Sequence, residues 1–545
     1  MFDNFRGSQQ RTVALAAVVA LTLSVTGCTT NANSGNTSPS SADTGKSGGS
    51  TGTLIVNNVF NNDGLDPAHE TAVTANMVFH SVYDTLLTLE PGSTTPKPAL
   101  ASAYTASPDG KTFTFTLRTD VKFADGTPLT VDDVAFSFNR MINVKGAGAA
   151  VLDGVTVTTE GPDKVILTSA VPKPALPRIV AMAALGIVSA KAVKAQGGSD
   201  QAGADQSDKA QAWLNVNSAG SGPYKLKTVT PKQQYVLEAN PHYWGTKPTF
   251  QQVIVKNAAA PAQLLSVQRG ESEIAYDIAA NQVGQLAGNS AVQVVRAPST
   301  NIFFFMANLD PAKSPVTANP KIREAIRYGL DYEGLRKLGG DGAIQLAGLV
   351  PKGMLGALPE SERVQRDVAR AKALVAESGL KNPTFTLNYV ANFSIFGVSV
   401  ELVAQKIQAS LAEVGITATP QGLPLQQHIQ RFREGKQQAS ANLYAVDYPD
   451  PANYLPHWPG GATATRLGID KAKHPELVAL HEKAATTVGD DARAAAYQEL
   501  QRKMNDLGAY IPEFQAESIL VGTANLTGLV SNGMWGVDLA KVGRK

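Results

Sequence analysis

A single cysteine, Cys28, stands in a chain of 545 residues. A domain built from the remainder has no internal disulfide, no thiol nucleophile and no zinc–thiolate cluster. Histidine is scarce too, with seven in the whole chain. His474 and His481 lie seven apart in "HPELVALH" and could share one helix face. Two imidazoles at that spacing do not make a metal site, and a solvated face is the simpler reading. The sequence holds no G-x-x-x-x-G-K-[ST] phosphate loop, no H-E-x-x-H and no G-x-S-x-G elbow between a strand and a helix. Nucleotide hydrolysis of the phosphate-loop type and zinc proteolysis are therefore not expected. Paired carboxylates that converge only in the fold would leave no such trace, so a secreted hydrolase of that kind stays open. Net charge is only +2, which gives no electrostatic reason to expect nucleic acid as a partner. Past the N-terminus no long apolar run occurs, which excludes a helical channel, and no repeat of solenoid length appears.

What is present is enough apolar material for a large folded protein. Hydrophobic residues make up 43% and charged residues 17%. The length exceeds one core and predicts two or three domains. The first 27 residues read as a signal peptide: Arg6 and Arg11 precede a short apolar core, "TVALAAVVALTLSV". The small residues Thr26 and Gly27 before Cys28 resemble a bacterial lipobox. That resemblance implies cleavage before Cys28 and lipidation of its sulfur, with acyl chains sufficient for stable anchoring. Residues 28–52 are Ser, Thr, Gly and Asn with little that is apolar. Such a segment cannot bury enough surface to offset ordering and serves as a flexible tether, reaching roughly 27 Å. The sequence thus predicts a body held near a membrane surface, on its extracytoplasmic face, but not in it.

From Thr53 the chain is well patterned. "TLIVNNVF" starts a strand, and "ANMVFHSVYDTLLTL" carries a helical stripe. "KTFTFTLR" alternates Phe113, Phe115 and Leu117 to one side, as in a half-buried strand. Thr130 with Asp133 predicts a capping box, and Asp132 and Asp133 in a first turn suit the helix dipole better than acid–base chemistry. "NIFFFMANL" is apolar at successive residues, as in a strand covered on both faces. From residue 384 onward strands alternate with helices, the last strand being "ANLYAVD". This predicts α/β layers with ligand sites off the strand ends.

One stretch poses an electrostatic problem. "YAVDYPDP", residues 444–451, holds Asp447 and Asp450 among aromatic and proline residues, and no Lys or Arg occurs between Ala439 and Gly461. A carboxylate shut away from water needs a cation. The cation is either a ligand's ammonium or a distant arginine such as Arg466, unless the aspartate caps a turn. Asp450, directly before Pro451, suits a turn.

Several segments, in this order, resemble the family-5 extracellular solute-binding proteins of ABC importers, the oligopeptide, dipeptide and nickel-binding group. They are "GLDP" at 64–67, "VYDTLLTLE" from Val82, "SPDGKTFTFTLRTDVKFADGTPLTVDDVAFSFNR" at 107–140, "GSGPYKL", "ANPHYW", "NPKIREAIRYGLD" and "YPDP". The block at 107–140 is highly specific; "GLDP" alone is weak. The resemblance implies a two-lobed α/β clamp of the periplasmic-binding-protein type with an additional domain inserted in the first lobe. Lobe one comprises residues 53–91, 220–300 and 513–545, the additional domain 92–219, and lobe two 301–512. It implies closure about a hinge, delivery of the solute to a membrane permease with ATPase subunits, a monomer, no enzymatic activity and no cofactor or metal.

In peptide-binding members an aspartate past a lobe-two strand receives the peptide's α-ammonium, in the pattern aromatic, two residues, Asp. Tyr444, Ala445, Val446 and Asp447 fit it, so Asp447 maps onto that residue. Tyr444, Tyr448 and Phe393 are the implied walls. Main-chain groups around Glu70, Thr71 and Ala72 map onto the place where an extended ligand pairs with the first lobe. Dipeptide-specific members carry an arginine for the ligand carboxylate, whereas "YVANFSIFG" at 389–397 has none. Peptides longer than dipeptides are therefore expected, with another amine-bearing or chelated solute, such as a nickel complex, an opine or an oligosaccharide, as the alternative. A surface receptor or adhesin without transport is a further one.

Overall fold

The computed structural model describes residues 52–395 and 397–545. The expected signal peptide, Cys28 and nearly all of the tether lie outside them. Among the described residues no helix is long and apolar enough to cross a membrane.

Two long strands organise the molecule. Val292–Ala307 and Tyr510–Thr523 run antiparallel from the pair Val292↔Thr523 to the pair Met306↔Tyr510. On one side of this pair the sheet continues through Ile274–Ala275, Thr53–Asn58, Gln252–Asn257, Gln234–Ala239 and Tyr224–Thr230. On the other it continues through Ala439–Tyr444, Thr384–Val390 and Thr417–Leu423. The expected lobe boundaries at 300/301 and 512/513 fall inside these strands, not in loops. The pairing register is irregular there, between Pro298 and Ile302 and between Phe303 and Phe304. Bulged strands bend and twist locally, so the crossing between the two halves is a pair of bent strands.

The run Ile302–Ala307 is buried along its whole length, as successive apolar residues require. Phe303 stacks on Phe514 with centroids 4.6 Å apart. Phe304 points the other way, edge-on to His457 at 5.5 Å. Each such ring contributes about 1.5–3 kcal/mol on burial.

The second half follows the alternation read from the sequence. Thr384–Val390 lies parallel to both Thr417–Leu423 and Ala439–Tyr444. Val400–Ala412 and Leu425–Arg433 are the intervening helices. Val400, Val403, Ala404, Ile407 and Leu411 are buried, the three-to-four spacing of one helix face.

A separate four-stranded antiparallel sheet joins Ala101–Ala106, Thr112–Leu117, Lys164–Ser169 and Val155–Glu160. Phe113, Phe115 and Leu117 are its buried face. Helix Val131–Val144 packs on it and starts with the expected cap: Asp133 Oδ2 accepts from the Thr130 N–H at 2.9 Å and the Thr130 hydroxyl at 2.8 Å.

The helix expected across "ANMVFHSVYDTLLTL" stops early, at Val82. Asp84 is drawn away to accept from Ser221 Oγ (2.8 Å) and Trp244 Nε1 (2.9 Å), and Gly222 N–H donates to the Val82 carbonyl. These tertiary bonds outweigh the local helical preference.

Candidate functional site

A cavity of about 400 Å³ lies between the two halves. Its far wall is built at the carboxyl ends of the three parallel strands. Phe393 follows Thr384–Val390, Leu425 and Gln426 follow Thr417–Leu423, and Tyr444, Asp447 and Tyr448 end or follow Ala439–Tyr444. Side chains can converge there because the layer helices leave the strand ends open. The near wall comes from the loop after Thr53–Asn58, with Asn61, Asp63, Glu70, Thr71 and Ala72, and from segments beside the four-stranded sheet, with Ala147, Val151, Val171 and Lys173.

The two aspartates of "YAVDYPDP" have different solutions. Asp450 is fully buried. Arg493 meets it in a two-pronged pair at 2.7 and 2.5 Å, and Arg178 approaches to 3.5 Å. The Asp450 carboxylate also accepts from the Ala452 N–H at 2.9 Å, forming the expected turn at Pro451–Tyr454. Its charge is met inside the protein.

Asp447 is half-buried, with one side on the cavity. Among the described residues no lysine, arginine or histidine forms an ion pair with it. Arg466, the alternative partner, stacks over Phe432 at 5.5 Å instead. Loss of water around the carboxyl raises its pKa to about 6, and the nearby Glu70 carboxylate pushes the same way. At neutral pH it is mostly an anion facing the cavity.

Of the expected site residues, Asp447, Tyr444, Tyr448, Phe393, Glu70, Thr71 and Ala72 all line this cavity. Ala445 does not; it packs against the main core on the same face as Ala439, Ala441 and Leu443, continuing the strand alternation opposite Tyr444. Tyr444 is held by its hydroxyl, which donates to the Asn453 carbonyl at 2.7 Å. The main chain at 70–72 is engaged differently from the strand-like pairing anticipated there. Glu70 Oε1 accepts from the N–H groups of Thr71 and Ala72 (2.9 and 2.8 Å), and its Oε2 accepts from Asp63 N–H at 3.0 Å. Pairing of a ligand with those two donors requires the Glu70 side chain to leave.

The solvated face expected for the two histidines is corrected for one of them. His481 is buried, lines the cavity and sits 3.1 Å from the Pro459 carbonyl through Nδ1. Burial lowers its pKa, so it is neutral at physiological pH. His474 lies at the helix start, 3.7 Å from Glu476.

Three basic residues were not legible as site components. Arg493 and Arg178 neutralise Asp450, and Arg178 also pairs with Asp490 at 2.6 Å, joining sequence regions 312 residues apart. Lys173 lines the cavity, but its ammonium donates to the Asp153 carbonyl at 2.7 Å. The signal that pointed to the arginines was indirect: a base-free stretch holding a buried aspartate demands a distant guanidinium.

One acid-rich cluster, Asp66, His69 and Asp208, has spacing suited to a metal ion. Arg140 fills it. Its guanidinium holds Asp66 at 2.8 and 2.6 Å and Asp208 at 2.8 and 3.0 Å.

Residues 95–465 match the family described as "Bacterial extracellular solute-binding proteins, family 5 Middle". The chain belongs to this family. It is 30% identical over 452 residues to the probable D,D-dipeptide-binding periplasmic protein DdpA of Escherichia coli K12, covering 81% of this chain and 84% of that protein. It is 27% identical over 481 residues to di/tripeptide-binding protein 2 of Pseudomonas aeruginosa, covering 83% and 87%. Among solved structures, the ABC transporter substrate-binding protein CtaP of Listeria monocytogenes superposes with a TM-score of 0.79 at 22% identity, over 90% of this chain and 99% of that one. NikA of Brucella suis, in complex with Fe(III)-EDTA, superposes with a TM-score of 0.77 at 18% identity, over 90% and 100%. These neighbours are two-lobed binding proteins, and this chain has their fold.

Proposed function

We propose that this protein is the solute-binding component of an ABC importer, capturing peptides longer than dipeptides and delivering them to a membrane permease. The observation that carries the reading is Asp447: an anion on an interlobe cavity with no cationic partner among the described residues. A peptide's α-ammonium supplies the missing charge through a charge-assisted bond. Relatives whose names specify dipeptides and tripeptides support the choice of peptide over other amines.

Residues 53–91, 220–300 and 513–545 form lobe one in this reading, 301–512 lobe two, and 92–219 the additional domain. Closure about the two bent strands encloses the ligand. The protein works as a monomer held by a lipid on Cys28. Cys28→Ser is expected to release it from the membrane fraction; retention would refute the anchor.

The test of function is to incubate purified protein with a peptide library and read the mixture by mass spectrometry. Retained, uncleaved peptides support capture. Fragments would instead indicate hydrolysis, and recovery of no peptide would reject this ligand class.

A further inference from the structure

We infer that the cavity selects peptides with a free α-ammonium and apolar side chains, and leaves their C-terminal carboxylate unclamped at the mouth. This rests on the peptide reading above and adds to it what happens beyond the first residue.

The charges on the wall are unequal. Three carboxylates line it, those of Asp63, Glu70 and Asp447, against the single ammonium of Lys173. Asp63 is exposed and paired with Lys232 at 2.9 Å. Lys173 is engaged by the Asp153 carbonyl, and burial lowers its pKa. His481 is neutral, and no arginine lines the cavity among the described residues. The two guanidiniums behind the wall, Arg178 and Arg493, are matched to Asp450 and Asp490. A carboxylate brought inside would therefore face Glu70 and Asp447, with Lys173, held at the Asp153 carbonyl, as the one cation on the wall among the described residues, an unequal balance that is costly away from water.

The rest of the lining is apolar. Val151, Ile179 and Ile429 form the inner surface, and Val171, Leu425 and Leu455 stand at the rim with 57%, 38% and 49% exposure. Large aliphatic groups left in water around a cavity mouth mark a surface that awaits an apolar partner. A peptide anchored at Asp447 lays its side chains against them, and its carboxyl end reaches solvent past the rim.

The experiment is titration calorimetry on the purified protein with four tripeptides: Leu-Leu-Val, its C-terminal amide, its N-acetyl form, and Glu-Glu-Val. The amide is expected to bind within threefold of the free acid, or more tightly, and Glu-Glu-Val at least tenfold more weakly. Tenfold weaker binding of the amide, or equal binding of Glu-Glu-Val, overturns the inference. N-acetyl binding equal to that of the free amine instead overturns the Asp447 reading beneath it, and binding by none of the four overturns the peptide reading. Val171→Arg offers a second check by placing a cation at the exposed rim. It is expected to shift preference toward the free acid by severalfold over the amide; an unchanged ratio counts against an unclamped carboxylate at this mouth.

Discussion

Replacing Asp447 by asparagine tests the site from two directions. The carboxyl titrates at about 6 in the folded protein against 3.8 when unperturbed. A folded pKa above the unfolded one means that the contribution to stability is present below pH 3.8 and disappears as pH rises through 6. The difference between the two values is worth about 3 kcal/mol, which partial exposure to the cavity reduces to about 1–3 kcal/mol. Asp447→Asn should therefore stabilise the unliganded protein at pH 7.5 by about that amount and by much less at pH 4, as read by thermal unfolding. Ligand affinity should move the other way. Loss of a charge-assisted bond of about 1.5–3 kcal/mol raises Kd by about 10- to 150-fold at pH 7.5. Wild-type affinity should also fall below pH 6, by up to about tenfold for each further pH step of one, while the variant stays flat. Unchanged affinity, or destabilisation at both pH values, would make Asp447 a structural group and refute the reasoning.

Other consequences concern the frame around the site. Arg493→Met leaves the buried Asp450 with Arg178 at 3.5 Å as its only cation among the described residues, and should cost about 3–5 kcal/mol in urea unfolding; a loss under about 1 kcal/mol would show the pair to be replaceable. Arg178 ties the segment near the four-stranded sheet to Asp450 and Asp490 of the opposite half. Arg178→Ala should favour the open form, increasing the unliganded radius of gyration in X-ray scattering; an unchanged profile would deny it that role. Glu513 sits fully buried on the crossing strand Tyr510–Thr523, and neither carboxyl oxygen has a hydrogen-bond partner among the described residues. Burial holds its pKa well above 4.5, so wild-type stability declines as pH rises past that value. Glu513→Gln should gain in melting temperature over wild type as pH increases from 5 to 8, and a constant difference would contradict a neutral buried acid.

Much of this was legible where local chemistry decides the outcome. The capping box at Thr130 and Asp133, the alternation of Phe113, Phe115 and Leu117, and the two-faced burial of Ile302–Ala307 follow from neighbours in sequence. Asp447 stands out because a carboxylate without a nearby base poses a question that sequence can state. The answer for Asp450 depends on Arg178 and Arg493, which no local pattern connects to residues 444–451. The shortened helix ending at Val82 and the buried ring of His481 have the same origin: tertiary partners overrode a helical stripe in one case and an apparently polar face in the other. Glu70 shows the limit for main-chain sites. Its place on the cavity was expected, but not that its carboxylate would occupy the N–H groups of Thr71 and Ala72.

The most direct test of the central claim is a double-mutant cycle in which the ligand is one partner. Affinities of one apolar tripeptide and its N-acetyl form are measured by calorimetry on wild type and Asp447→Asn. If Asp447 holds the ammonium, acetylation weakens binding to the wild type but hardly to the variant, giving a coupling of about 1.5 kcal/mol or more. A coupling near zero, with both changes acting independently, would contradict it.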